Sequence, residues 1–116
     1  MNEQAEAAKS KVANAMTQWS SWHEAIQQGR AEKNPSVEQW MRQAIQLYDE
    51  MLAAYHDSED ERSAIEPMNG KERIDFVKLK LRSPQAFQQL QALFNEAAKK
   101  AASLHARSIR SESSKK

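Results

Sequence analysis

The sequence predicts an all-α fold, a three- or four-helix bundle built on a long helical hairpin plus a long C-terminal helix. Three long segments carry apolar residues at alternating spacings of three and four, which is the pattern of a helix that buries one face. The 116 residues include 18 Ala and 11 Gln but only two Gly, three Pro and nine β-branched residues. Because Ala and Gln favour helices while Gly and Pro interrupt them, this composition indicates a few long helices joined by few turns.

The first helix is predicted over Glu3–Gln28. Its apolar residues keep the three-four spacing over three heptads, and they are Ala5, Ala8, Val12, Ala15, Trp19, Trp22 and Ile26. Gly29 follows at the place where a left-handed residue often ends a helix, so Gly29 is the predicted C-cap.

A short polar connection leads to the second helix, which is predicted to run to about His56. Asn34 with Pro35 fits an N-cap followed by a first helical residue. Ser36 with Gln39 fits a capping box, and both alternatives stay open. The apolar face of this helix is wider than one coiled-coil seam, which predicts contacts with two neighbours. Because short connections join antiparallel neighbours, the first two helices are expected to form a hairpin.

Residues 57–70 form the main predicted irregular segment. Its acidic first half is expected to end the second helix, while Pro67 and the Asn69-Gly70 pair favour a turn. The segment therefore separates the hairpin from the C-terminal part of the chain.

Residues 71–82, KERIDFVKLKLR, are compatible with a helix or with a strand. A helix would carry Ile74, Val77 and Leu81 on one face and Phe76 and Leu79 on the opposite face. Such a helix would be buried nearly all round. A strand would instead alternate apolar with basic side chains: Val77, Leu79 and Leu81 with Lys78, Lys80 and Arg82. Since a lone strand cannot leave its backbone unpaired in a core, it would need a mate from residues 62–68 or from a second chain.

The last helix is predicted from Ser83, a good N-cap, to about Ala106, with Pro84 at its first position. Its apolar stripe consists of Phe87, Leu90, Phe94, Ala97, Ala101 and Leu104. Residues 108–116 are basic and rich in serine, which predicts disorder. The chain is thus predicted to form a single helical domain over residues 1–107 with a basic tail over 108–116.

Composition argues against several classes of function. The absence of Cys removes disulfides, Cys-ligated zinc and thiol catalysis. No Gly-rich phosphate loop or paired acid is recognisable, and the histidines are isolated in sequence: His23, His56 and His105. We therefore expect no enzyme activity, no metal ligand and no cofactor. No apolar run is long enough for a membrane span and no signal peptide is apparent, which predicts a cytoplasmic protein without membrane contact.

Charge is distributed unevenly along the chain, although the net charge is +1. Residues 1–70 carry 6 basic and 12 acidic side chains, whereas residues 71–116 carry 11 basic and 4 acidic ones. A basic C-terminal third can attract the phosphates of DNA or RNA. The residues predicted for such contacts on the last helix are Lys99, Lys100, Arg107 and Arg110.

The segment FVKLKLRSP, residues 76–84, followed by an amphipathic helix, is similar to the opening of ribbon-helix-helix DNA-binding proteins. In that family two chains pair their strands, and the outward side chains enter the major groove. The resemblance implies DNA contacts by Lys78, Lys80 and Arg82. The sequence departs from the family because no Gly or Asn-Gly turn divides residues 84–110 into two helices.

The three tryptophans are the predicted partner-binding residues, because Trp is enriched where proteins bind one another. Trp19 and Trp22 stand in register on the first helix, which fits a core or an oligomer interface, and Trp40 is the one expected at the surface. We therefore predict a small non-catalytic adaptor, inhibitor or regulatory subunit that binds another protein, or a second copy of the chain, through a helical face. The alternative is an accessory factor that binds DNA or RNA through the basic C-terminal third.

Overall fold

A computed structural model describes the backbone of residues 3–56 and 63–114 and the side chains of residues 6–56 and 63–106. This described part contains four helices: α1 (Glu3–Ala31), α2 (Val37–Ala53), α3 (Gly70–Leu79) and α4 (Pro84–Ser114). The helices form an elongated bundle with dimensions of 57 × 24 × 18 Å. The predicted all-α bundle is confirmed.

Aromatic contacts define the relative direction of the long helices. The rings of Trp19 in α1 and Phe94 in α4 stack with centroids 4.4 Å apart, and His23 stacks on Phe87 at 4.8 Å. Since higher residue numbers in α1 meet lower numbers in α4, these two helices are antiparallel. Tyr48 of α2 contacts Phe94 edge-on, with centroids 5.5 Å apart. The aromatic cluster therefore joins α1, α2 and α4 at the centre of the bundle.

The end of α1 differs from the prediction. Gly29 is not left-handed; α1 continues to Ala31, and Lys33 has the positive φ, at 57°. The prediction of Gly29 as a C-cap is wrong because this position lies where α1 meets α2. A Cβ atom there would lie 2.7 Å from Cζ3 of Trp40 and 2.8 Å from Cγ2 of Val37. The absence of a side chain at Gly29 lets the two helices of the hairpin approach this closely.

The second helix, α2, begins at Val37 and ends at Ala53, slightly earlier than expected. The Oδ1 atom of Asn34 accepts a hydrogen bond from the backbone N–H of Ser36 at 2.8 Å. The Ser36 side chain itself makes no capping hydrogen bond, so the predicted capping box does not form. The alternative of Asn34 as N-cap with Pro35 as first helical residue is also wrong, because the helix begins two residues later and Asn34 instead forms an Asx turn ahead of it.

The connection between α2 and α3 is described from residue 63 onward, and residues 57–62 lie outside the described residues. Ile65 is 0% exposed, so this irregular segment contributes to the core. The predicted turn is confirmed, since the backbone N–H of Gly70 donates to the carbonyl of Pro67 at 2.9 Å. Asn69 takes the left-handed conformation in this turn, with φ of 55° and ψ of 27°.

Residues 70–79 are helical, so the helical alternative for this segment is confirmed and the strand alternative is wrong. Ile74 and Val77 are buried on one side of α3. A helix satisfies its own backbone hydrogen bonds, whereas the described residues offer this segment no strand to pair with. The similarity to ribbon-helix-helix proteins therefore does not hold, because no paired strand forms and α4 runs unbroken from Pro84.

The start of α4 is confirmed in atomic detail. The hydroxyl of Ser83 accepts a hydrogen bond from the backbone N–H of Ala86 at 3.0 Å, and Pro84 is the first helical residue. The backbone of α4 is helical to Ser114, beyond the predicted end at Ala106. Side chains after Ala106 lie outside the described residues, so the domain boundary after residue 107 and the disorder of the tail stay predictions.

Candidate partner-binding surface

Trp19 belongs to the core of the bundle. The residue is 4% exposed, and its ring is nearly parallel to that of Phe94, with 9° between the planes. The ring of Phe87 lies against the same indole, with centroids 6.2 Å apart. A partner protein would reach Trp19 only if α1 and α4 separated.

Trp22 and Trp40 are half-buried and pack against the core. The ring of Trp40 occupies the space where a side chain on Gly29 would lie, so it helps to hold α1 against α2. Only part of each ring is open to a partner. The partner-binding role of the three tryptophans stays a prediction, while their burial favours a role in stability.

Large apolar side chains are exposed at three positions in the part of the chain that the structure describes: Met68, Phe76 and Leu79, at 78%, 38% and 81%. Glu72, which is exposed as well, stands four residues after Met68 and four before Phe76. Residues three and four apart in a helix project from the same side, so Glu72, Phe76 and Leu79 form one row, and Met68 lies in the turn that precedes α3. We call this row, together with Met68, the outer face of α3.

Burial of α3 is therefore one-sided, and the expectation of a helix buried nearly all round is wrong. Ile74 and Val77 are covered because α3 packs on α4 along that side. On the opposite side, Leu79 is almost fully open to solvent and Phe76 is partly open. Clustered exposed apolar side chains mark interaction surfaces, whereas scattered ones are ordinary.

The guanidinium of Arg73 fixes α3 on α4. Its Nη1 and Nη2 atoms donate to the two carboxylate oxygens of Glu96 at 2.9 and 2.6 Å, and its Nε donates to Oε1 of Gln89 at 2.7 Å. Nη1 also donates to the backbone carbonyl of Met68 at 3.1 Å. Hydrogen bonding from Arg73 lowers the pKa of Glu96, with desolvation opposing the shift. This bidentate contact between Arg73 and Glu96 fixes the orientation of α3, so that its outer face points toward solvent.

Basic side chains flank the C-terminal end of the outer face. Lys78 and Lys80 are exposed, one residue before and one residue after Leu79. Burial raises the pKa of Asp49 in α2, and the positive charge of Lys78 opposes this rise. The end of the apolar row near Leu79 is therefore framed by two cations.

The residues predicted for nucleic-acid contact fall into two groups. One group lies at the turn between α3 and α4 and is exposed: Lys78, Lys80 and Arg82. The other lies about four turns further along α4, roughly 20 Å away, and its first two members are exposed: Lys99, Lys100, Arg107 and Arg110. The side chains of Arg107 and Arg110 are outside the described residues. Within the first group, Nε of Arg82 lies 3.2 Å from Oε2 of Glu38, which engages part of its charge.

A surface cleft of about 850 Å³ lies where the α2–α3 connection meets α3 and α4. Its charged lining mixes Glu66 and Glu72 with Lys71 and Lys100. Such a mixed lining gives no preference for an anionic or a cationic ligand. Among the described residues, no group of three His, Asp or Glu side chains is placed to hold a metal ion.

Tyr48 is 1% exposed, and its hydroxyl finds no hydrogen-bond partner in the described part of the chain. Burial raises the pKa of this phenol, and the negative charges of Glu66 and Asp49 add to the effect. The phenol is therefore neutral, and Tyr48 contributes to the core through its ring.

Within the described residues, no helix combines the length and the apolarity needed to cross a bilayer. No curated protein and no solved structure matches the chain. A family model described as YpoC-like protein matches residues 9–108. Since that match spans well over half of the chain and reaches from α1 into α4, the protein belongs to the YpoC-like family.

Proposed function

We propose that this member of the YpoC-like family is a small non-catalytic protein of the cytoplasm that binds another protein as an adaptor, an inhibitor or a regulatory subunit. The binding site is the outer face of α3. One observation carries the proposal, namely that the exposed large apolar side chains of the described residues all lie on α3 or in the turn just before it: Met68, Phe76 and Leu79.

Free energy of burial supports the proposal. Each buried CH₂ group contributes about 0.8 kcal/mol, and Leu79 keeps 81% of its surface in water after folding. That contribution is still available to a partner. Because Arg73 already holds α3 on α4, little ordering of the backbone is needed on binding, which limits the entropy that association costs.

Binding of DNA or RNA is the alternative function. It is supported by the exposure of Lys78 and Lys80 beside α3 and of Lys99 and Lys100 on α4. A positive field is sufficient for phosphate binding. This alternative gives no role to the exposed apolar row, and for that reason protein binding ranks first.

Replacement of Leu79 and Met68 by Ser should abolish recovery of the protein partner on the tagged full-length chain. Both side chains already face solvent, so circular dichroism and the melting temperature should stay unchanged. Arg107→Glu with Arg110→Glu should leave recovery intact, and so should treatment with nuclease. Trp40→Ala is a poor probe of binding, because this ring also packs over Gly29.

Retention of the partner by the Leu79→Ser, Met68→Ser variant would contradict a site on α3. Loss of recovery after nuclease, or in the variant with both arginines reversed, would favour the nucleic-acid alternative. The two functions are thus separated by variants that leave the described core untouched.

A further inference from the structure

We infer that the partner segment that covers the outer face of α3 is an amphipathic helix of another protein with acidic side chains over the Leu79 end. The inference rests on the proposed function and adds the chemistry of the partner.

Apart from Met68, the outer face consists of side chains on one helix of 10 residues, which is about 15 Å long. The described residues contain no sheet edge to which an extended peptide could add a strand. A helix satisfies its own backbone hydrogen bonds, so it can cover this face without a strand to pair with. Apolar residues at spacings of three and four on that helix can pack against Phe76 and Leu79 as ridges into grooves.

The charges beside the outer face indicate which charged side chains the partner helix carries next to its apolar residues. Residues 76–82 carry three cations and no anion. Arg82 is paired with Glu38. The charge of Lys78 acts on the carboxylate of Asp49 in α2. Lys80 makes no ion pair among the described residues. A partner that covers Leu79 places its own side chains beside these lysines. Acidic side chains there gain attraction, whereas basic ones are repelled.

The opposite end of the row has a different charge. Glu72 lies within the row, and Asp75 and Lys71 flank it, so this end is not cationic. The excess of positive charge is confined to the last turn of α3 and the residues after it. Because of this asymmetry, the acidic side chains of the partner lie at the Leu79 end of the outer face.

A photo-crosslinking amino acid in place of Leu79, in the full-length chain and in its source cells, tests the inference. Gln43, exposed on the outer side of α2, is the matched control position. The crosslinked segment is identified by mass spectrometry. We expect a segment of another protein that has apolar residues at helical spacing and an excess of Asp and Glu, captured from Leu79 and not from Gln43.

The captured segment, made as a synthetic peptide, then provides a direct titration. Leu79→Ser should weaken its binding about tenfold or more, as expected for a central apolar contact. Lys78→Glu with Lys80→Glu should do the same and should reduce the dependence of binding on salt. The control variant, Lys9→Glu with Lys99→Glu, changes the net charge by the same amount at positions outside α3. It should leave the affinity for the peptide within about twofold of the wild type.

A captured protein segment that is neutral or basic would overturn the inference and leave the proposed function standing. Capture of a second copy of this chain, of nucleic acid or of lipid would overturn both. Crosslinking from Leu79 no stronger than from Gln43 would also overturn both, because the face would then be uncovered in the cell.

Discussion

Replacement of Trp19 by Ala should lower the free energy of unfolding by about 3–5 kcal/mol, the usual cost of deleting a large buried ring. The residue is 4% exposed, and its ring stacks on Phe94 with centroids 4.4 Å apart. The stack contributes about 0.5–1.5 kcal/mol beyond the buried area, and its loss is included in this cost. Urea denaturation gives the free energy directly, provided that the slope with denaturant is unchanged.

Trp22→Ala is the matched control, because the same residue type is removed from the same helix three positions later. Trp22 is half-buried at the edge of the core, so its removal opens a smaller cavity. We expect its cost to be well below that of Trp19→Ala. Equal costs for the two variants would show that the stacking on Phe94 does not organise the core.

Replacement of Gly29 by Ala should destabilise the protein by up to about 2 kcal/mol, although Ala normally stabilises a helix by about 1 kcal/mol relative to Gly. The reason is steric. The added Cβ would lie 2.7 Å from the ring of Trp40 and 2.8 Å from a methyl group of Val37. Overpacking of this kind costs about 1–3 kcal/mol, and subtracting the gain in helix propensity leaves about 0–2 kcal/mol of destabilisation.

Gly70→Ala is the control for Gly29→Ala. A Cβ at Gly70 would lie 2.9 Å from Cγ of Glu66, a flexible side chain that can move aside. Denaturation should therefore place Gly70→Ala within about 0.5 kcal/mol of the wild type. A stabilised Gly29→Ala protein would contradict the close approach of α1 and α2.

The three long helices could be predicted because their determinants are local or periodic. Burial of one face imposes the three-four spacing, and that spacing marked the apolar stripes of α1, α2 and α4. The cap of α4 needs only Ser83 and a backbone amide three residues later, so its start was also predictable. The start of α2 was predicted only to within two residues, because Asn34 forms an Asx turn before the helix and does not cap it.

The role of Gly29 could not be predicted, because a left-handed glycine and a glycine at a helix contact are identical in sequence. The deciding atoms belong to Val37 and Trp40 on the next helix. Tertiary packing likewise decided which tryptophans are buried. The spacing of Trp19 and Trp22 is the same for a core and for a binding site, whereas the ring of Phe94 settles the burial of Trp19.

The candidate surface was predictable in part. A helical pattern for residues 71–82 already placed Phe76 and Leu79 opposite Ile74 and Val77. The sequence could not show that one side alone would be covered, because that depends on the packing of α3 on α4. Met68 gave no sequence signal, since it precedes the helix, in the turn next to Asn69.

Hydroxyl-radical footprinting of the purified chain and of the same chain in its source cells is the most direct test of the site on α3. Met41 and Met51, at 0% and 1% exposure, are internal references that should stay protected in both samples. If a partner covers the outer face of α3, Met68 and Leu79 should be oxidised rapidly in the purified chain and markedly protected in cells. Equal oxidation of Met68 and Leu79 in the two samples, or their protection already in the purified chain, would contradict a partner on the outer face of α3.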